Sequence, residues 1–301
     1  MKEKASKIMM VRPVSFGYNE QTAMSNSFQN RTDQLPETIQ QKALAEFDAF
    51  SGKLKEAGID VVIFEDSTDP HTPDSIFPNN WISFHENMIV LYPMLAENRR
   101  LERRKDIIHH FTSTASQLID LSHNEGQLIF LEGTGSIVFD YENKMAYANI
   151  SPRTDKTLLE QLCTMIGYEA ITFHAVDTGN ADIYHTNVLM CIGKGFAVIC
   201  KESIHDQAEL KRVIHSLEST GHEIIDISYK QMNSFAGNMY QLFNKEGNSF
   251  IAMSEQAYRS LEASQVKQLE KYGTLLHSPL YTIEKYGGGS ARCMMADVRC
   301  E

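Results

Sequence analysis

The apolar and polar positions of this chain fall into a repeated pattern. Five stretches carry helical periodicity, roughly Glu37 to Ala57, Asn98 to Thr112, Lys156 to Ile166, His205 to Thr220 and Ser254 to Tyr272, and Gly58, Gly167, Gly221 and Gly273 follow four of them as C-cap signals. Each is followed by a short β-rich run: Val61 to Phe64, Leu118 to Leu121, Ala170 to Phe173, Ile224 to Ile227 and Thr274 to His277. Between such a run and the next helix lies an apolar pair of strands broken by a polar turn, at His85-Glu86-Asn87, Tyr141-Glu142-Asn143-Lys144, Gly193-Lys194-Gly195 and Lys245-Glu246-Gly247-Asn248. The turns recur about every 50 to 57 residues, which marks a repeat architecture of strand, strand, helix, strand.

A short polar word stands at the same phase of every copy. The words are Phe77-Pro78-Asn79-Asn80, Leu131-Glu132-Gly133-Thr134, Tyr184-His185-Thr186-Asn187, Phe235-Ala236-Gly237-Asn238 and Ser290-Ala291-Arg292-Cys293, and each runs into an apolar stretch. The run Cys293 to Val298 reads as a strand without its hairpin partner, and Ile8 to Val11 at the other end lacks a preceding strand. Pairing the two closes the repeats and leaves no open edge. The expected fold is therefore α/β, a five-bladed α/β propeller of ββαβ repeats closed by the N- and C-terminal strands, as a single domain over residues 1–301. An ordinary α/β protein with accidental periodicity is the competing reading, and the shared phase of the words argues against it. A closed ring would gather a thiol, an imidazole, a carboxylate and several carboxamides at one place.

Composition narrows the partners. A net charge of -11 opposes nucleic acid and anionic membrane surfaces, so a small molecule is the expected ligand, and a homo-oligomer stays open. The charged start Met1 to Lys7 leads into an apolar run that is too short for a signal peptide, and no run reaches membrane-spanning length, so the chain reads as cytoplasmic. Five cysteines without CxxC spacing suggest neither a disulfide framework nor a metal site, and no cofactor is expected.

Among the cysteines, Cys163, Cys191, Cys200 and Cys300 lie in helical or strand patterns or at the terminus and read as structural. Cys293 follows Gly287-Gly288-Gly289-Ser290, an exposable backbone run, and adjoins Arg292, whose charge favours a thiolate. His185 shares its phase and reads as the acid/base partner. Glu132, also in phase, reads as the group that orients the imidazole, or else as a turn residue before Gly133. Asn79, Asn80, Asn187, Asn238 and Asn19 are candidate substrate contacts, though Gly17-Tyr18-Asn19 also reads as a turn and Asn238 as a strand cap. The proline-marked segment Asp66 to Asp74, beside the first word, is a candidate lid.

The four words holding Asn79-Asn80, Glu132-Gly133-Thr134-Gly135, His185-Thr186-Asn187 and Gly288-Gly289-Ser290-Ala291-Arg292-Cys293 resemble those of the pentein guanidine-modifying enzymes: arginine deiminases, dimethylarginine dimethylaminohydrolases and amidinotransferases. The stretches Met10 to Pro13, Phe16 to Asn19 and Asn26 to Gln29 are most similar to the citrulline-utilisation hydrolase and amidinotransferase-like branch. The resemblance implies a nucleophile at Cys293, an acid/base at His185 and its carboxylate partner at Glu132, acting through a covalent thio-intermediate without a cofactor. It further implies that Arg153, in Ser151-Pro152-Arg153-Thr154, holds the substrate carboxylate, a task that suits a planar guanidinium; a solvated charge at a helix N-terminus is the alternative.

Arginine deiminases carry aspartates where this chain has Asn80 and Asn187. Carboxylates match a guanidinium, whereas carboxamides offer one donating and one accepting end and no charge, so a neutral ureido group fits better and citrulline ranks ahead of arginine. An amidinotransferase using the same three residues, and a pentein serving only as a binding module, are the alternatives. Retention of Cys293, His185 and Glu132 together argues against the second.

Overall fold

A computed structural model describes residues 4–23, 26, 28–29, 35–112 and 117–299. Cys300 and Ser27 lie outside the described residues. Among the described residues, fifteen strands form five three-stranded sheets of one topology. β3 (Ile82–His85), β4 (Met88–Leu91) and β5 (Gln117–Asp120) form one, with β3 antiparallel and β5 parallel to the central β4. The same order recurs in β6 (Val138–Asp140), β7 (Met145–Asn149) and β8 (Glu169–Phe173). It recurs again in β9 (Met190–Gly193), β10 (Phe196–Ile199) and β11 (Glu223–Asp226), and in β12 (Tyr240–Phe243), β13 (Ser249–Ser254) and β14 (Thr274–Ser278). All four expected hairpin turns fall between the first two strands of a sheet.

The remaining sheet joins the two chain ends. β1 (Lys7–Arg12) runs parallel to β2 (Asp60–Glu65) and antiparallel to β15 (Ala296–Asp297), with Ile8 opposite Asp297 and Met9 opposite Ala296. The terminal pairing expected from the sequence is present, but the last strand is short. Cys293 and Met294 lie in a turn, not in the strand expected from Cys293 to Val298, because the Cys293 and Met294 amides both bond back to Ser290 O.

Helices link the central and outer strands. Pro36–Glu56 starts on a proline at N1 and buries Phe47, Phe50 and Leu54 in a cluster with Ile8, Met10, Cys293, Met294 and Met295. Lys156–Ile166 is capped by Asp155 and ends on Gly167 at φ 74°, and Gln207–Ser219 is capped by Asp206. Two expected helices are each broken in two. The Asn98 to Thr112 stretch forms Glu97–Arg100 and Lys105–Thr112, because Arg99 turns inward to bind Glu102. Ser254 to Tyr272 forms Glu255–Ser260 and Ala263–Glu270, the second started by a Glu262/Gln265 capping box. Gly58, Gly167 and Gly221 take the left-handed cap conformation. Gly273 does not, and its place is set instead by the backbone of Ser249, 3.0 Å from where a Cβ would stand. Among the described residues, no helix is long and apolar enough to cross a membrane.

Candidate active site

The five polar words become five short helical or turn segments, each leading into the first strand of its sheet. They touch one another in sequence order. Gly133, at φ 49°, lets its segment lie on the first word so closely that a Cβ would stand 2.3 Å from Asn79 O. Thr186 Oγ1 donates to Ser136 O, Asn238 Nδ2 donates to Asn187 O at 2.8 Å, and the Arg292 amide donates to Asn238 Oδ1 at 2.9 Å. Gly289 rests on the Phe77 ring, which returns the contact to the first word.

This packing brings Cys293 and His185 to one cavity, with Glu132 buried behind the imidazole. His185 Nε2 stands 2.8 Å from Glu132 Oε2, and both side chains are shielded from water. Since Nε2 is committed to the carboxylate, Nδ1 is the nitrogen left for proton transfer. Glu132 is further held by the Leu95 amide at Oε1 and by Arg153 Nη1, 3.3 Å from Oε2. Burial pushes the Glu132 carboxyl up, but Arg153, the His185 hydrogen bond and Arg99 outweigh it and hold the group well below the usual carboxylate range. His185 moves down, because burial and the two arginines outweigh Glu132, so the imidazole rests neutral. Glu132 is thus an ionised partner of a neutral imidazole, and its backbone also opens the turn at Gly133, accepting from the Gly135 and Ser136 amides.

Cys293 is 4% exposed and receives two carboxamide hydrogen bonds at Sγ, from Asn187 Nδ2 and Asn238 Nδ2, each 3.3 Å. Two such donors stabilise negative charge on sulfur. Arg292 plays a different part from the one its position suggests. Its guanidinium donates to Met295 O and stacks 4.3 Å over the Tyr240 ring. By contrast, burial pushes Cys163, Cys191 and Cys200 up to about 12, so they remain thiols.

The expected substrate contacts divide. Asn80 and Arg153 line the cavity with Cys293 and His185. Asn80 Oδ1 already accepts from Arg99 Nη1 at 2.7 Å, and its amide donates to Asn79 Oδ1. Asn79 is fully buried and reaches Thr134, so it joins two words and does not line the cavity. Asn187 and Asn238 serve the sulfur. Asn19 binds Asp74 Oδ2 at 2.7 Å and Asn98, standing behind the cavity wall. Arg153 is buried, donates to Thr22 O and lies 4.9 Å over the Tyr184 ring, which excludes the solvated helix-end alternative.

Two charged lining residues were not among the expected substrate contacts, though Asp74 ends the candidate lid. Asp74 is 2% exposed with Oδ1 unpartnered, and burial raises its carboxyl against the opposing pull of Arg99 and Asn19. Arg99 forms a two-pronged bond to Glu102 and reaches Phe77 O. Asp74 sits three residues before Phe77, close enough to the first word to have drawn attention, whereas Arg99 lay in a charged stretch that looked like a solvated helix face. Of the candidate lid, Asp74 lines the cavity while residues 67–71 are exposed. Thr22 and Asn26 also line it, with Asn26 Nδ2 bonded to Gly287 O, and about 10 Å³ of room remains. That admits roughly one water molecule.

The sequence profile of the family described as N,N dimethylarginine dimethylhydrolase, eukaryotic, matches residues 12–300. The chain belongs to this family, within the pentein guanidino-group modifying superfamily. No curated protein matches this family member in sequence. Solved structures similar to it include the N-terminal domain of ArgZ, an arginine dihydrolase of the ornithine-ammonia cycle in cyanobacteria, bound to substrate, at 18% identity over 97% of this chain and 98% of that one, TM-score 0.77. The ArgZ domain covalently bound to a reaction intermediate is 17% identical over 97% of both chains, TM-score 0.77. A dimethylarginine dimethylaminohydrolase adduct with S-methyl-L-thiocitrulline is 14% identical over 98% of this chain and all of that one, TM-score 0.68. At these identities the likeness establishes a common α/β fold, which the five three-stranded sheets fit as five ββαβ modules.

Proposed function

We propose that this pentein family member is a cysteine-dependent hydrolase of the guanidino group of an arginine-derived amino acid, working without a cofactor at the centre of a ring closed by its five modules in one domain. The observation that carries the reading is a buried thiol with two carboxamide donors, facing the same cavity as a neutral imidazole backed by an ionised carboxylate. The names of the relatives, an arginine dihydrolase and dimethylarginine hydrolases, agree with it.

In the first half-reaction His185 Nδ1 takes the Cys293 proton and the thiolate attacks the central carbon, forming the C–S bond as the C=N electrons move onto nitrogen. His185 then returns the proton to the departing nitrogen, the C–N bond breaks, and ammonia or a methylated amine leaves an S-linked amidino group. Water attacks that carbon, His185 accepts its proton, and the C–S bond breaks to give a ureido product and free Cys293. Glu132 keeps Nε2 protonated and balances the imidazolium in each half. In this reading Arg153, which lines the cavity, binds the substrate carboxylate.

Substrate choice turns on charge. Asn80 and Asn187 alone favoured citrulline, but Asp74 adds a buried carboxylate with a free oxygen, and a guanidinium would supply its missing partner. Arginine therefore moves ahead of citrulline. The test is kcat/KM on arginine, methylated arginines, agmatine, guanidinoacetate and citrulline, with amine release measured and no acceptor amine present. Asp74→Asn should lower the arginine-to-citrulline ratio about tenfold or more, as expected for loss of a buried charge partner. An unchanged ratio in a folded variant would show that Asp74 does not read substrate charge. Turnover only when an acceptor amine is added would favour the amidinotransferase.

A further inference from the structure

The turn that presents Cys293 is held from behind by a carboxyl group to which the reaction gives no part. Glu284 lies in the helix Tyr281–Gly287 and is 3% exposed. Its backbone carbonyl accepts from Gly288 N at 3.0 Å, and its Oε1 accepts from Ser290 Oγ at 2.6 Å. One residue thus grips both ends of the Gly288-Gly289 step. Ser290 O in turn accepts from the Cys293 amide at 3.0 Å, so the grip passes directly to the nucleophile.

We propose that Glu284 is a positioning residue for the nucleophile turn: its buried carboxyl group fixes Ser290, and the change in that grip when the group ionises alters how the turn presents Cys293. The surroundings favour the neutral form. Glu46, on the facing helix Pro36–Glu56, accepts from the Thr282 and Ile283 amides and puts a second negative charge nearby. The other polar groups bearing on Glu284 include the hydroxyls of Ser254, at the end of β13, and Ser290, and the Tyr281 phenol on its own helix. Oε2 has no acceptor role filled, whereas its protonated form can donate to Ser254 Oγ, which already takes one hydrogen bond from the Ala257 amide. Burial accordingly pushes Glu284 up to about 7, with Glu46 adding to it and the two hydroxyls opposing.

The sign of the pH dependence follows. Between the ordinary carboxyl value of about 4.5 and about 7, the folded protein holds a proton that the unfolded chain has released, so this group lowers stability as pH rises through that window. Glu284→Gln keeps the shape and the Ser290 contact but cannot ionise. It should match the wild type in Tm at about pH 5 and exceed it at about pH 8.

The proposal rests on Cys293 being the nucleophile, and a test that uses no substrate keeps the two apart. Labelling of Cys293 by iodoacetamide, followed by peptide mass spectrometry from pH 5 to pH 9, should give a wild-type-to-Glu284→Gln rate ratio that is flat below about pH 6 and departs from it about threefold or more above pH 7, over the range where Glu284 ionises. Glu284→Ala should shift labelling at every pH, and the Gln variant carries the test if the Ala variant does not fold. A flat ratio across the range would overturn the positioning role, and with a shifted Tm it would make Glu284 a structural residue only. A pH-dependent ratio in a protein that turns over no guanidino compound would sustain the proposal and overturn the hydrolase reading alone.

Discussion

Two cavities of this protein differ in size and in chemistry, in opposite directions. The one lined by Tyr141, Lys144, Lys194 and Arg299 has about 320 Å³ of room, against about 10 Å³ beside Cys293. In the larger cavity the lysines pair with Glu86 and Glu142, and all four side chains are between 44% and 74% exposed. Such pairs are worth about 0 to 1 kcal/mol each. Around the smaller cavity Glu132, Arg153, His185 and Asp74 are ionisable groups almost wholly removed from water, where breaking a pair costs about 3 to 5 kcal/mol. Void volume alone favours the larger cavity. The larger cavity also has buried titratable groups, His85, Asp140 and His222, so what sets the smaller one apart is the Glu132, Arg153 and His185 network beside the Cys293 thiol, and the proposed function rests on that network.

The largest contrast should come from neutralising one carboxylate in each place. Glu132→Gln removes the charge that Arg153 and His185 face, and should cost about 3 kcal/mol in unfolding free energy and about 100-fold or more in kcat/KM. Glu142→Gln at the larger cavity should stay within about 0.5 kcal/mol with turnover unchanged. Denaturant unfolding and kinetics on both variants would check this, and equal effects would erase the distinction.

A smaller effect is expected from crowding the cavity beside Cys293 without altering charge. A Cβ at Gly135 would stand 2.5 Å from Asn80 Nδ2 and 2.7 Å from His185 Nδ1, so Gly135→Ala must displace the imidazole. A shift of that kind should lower kcat/KM by about tenfold or more. Gly126→Ala, with nothing within 4 Å of its Cβ, is the control and should leave kinetics unchanged. Wild-type kinetics in Gly135→Ala would mean that the tight seat of His185 has no bearing on turnover.

The repeat, the hairpin turns and the phase of the polar words were legible because each is a local pattern that recurs. The terminal pairing was legible for a related reason: two apolar runs at opposite ends each lacked a strand partner. Side-chain partnership was not legible. Asn80, Asn187 and Asn238 look alike in sequence, yet one binds Arg99 and two bind the Cys293 sulfur, a division set by contacts across 19 to 106 residues of chain. Asp74, read only as the end of a candidate lid, and Arg99 were not read as buried cavity residues for the same reason, since an aspartate in a proline-marked loop and an arginine in a charged stretch look solvated until the fold buries them. The helix break at Leu101 to Arg104 follows from that burial.

The central claim is that Cys293 carries the covalent step. Wild-type protein mixed with arginine, quenched in acid during turnover and digested for mass spectrometry should show an amidino-type adduct on the Cys293 peptide and none on those of Cys163, Cys191 or Cys200, and Cys293→Ala should show neither adduct nor amine release. Amine release that persists in a folded Cys293→Ala variant, or an adduct confined to another cysteine, would contradict the account.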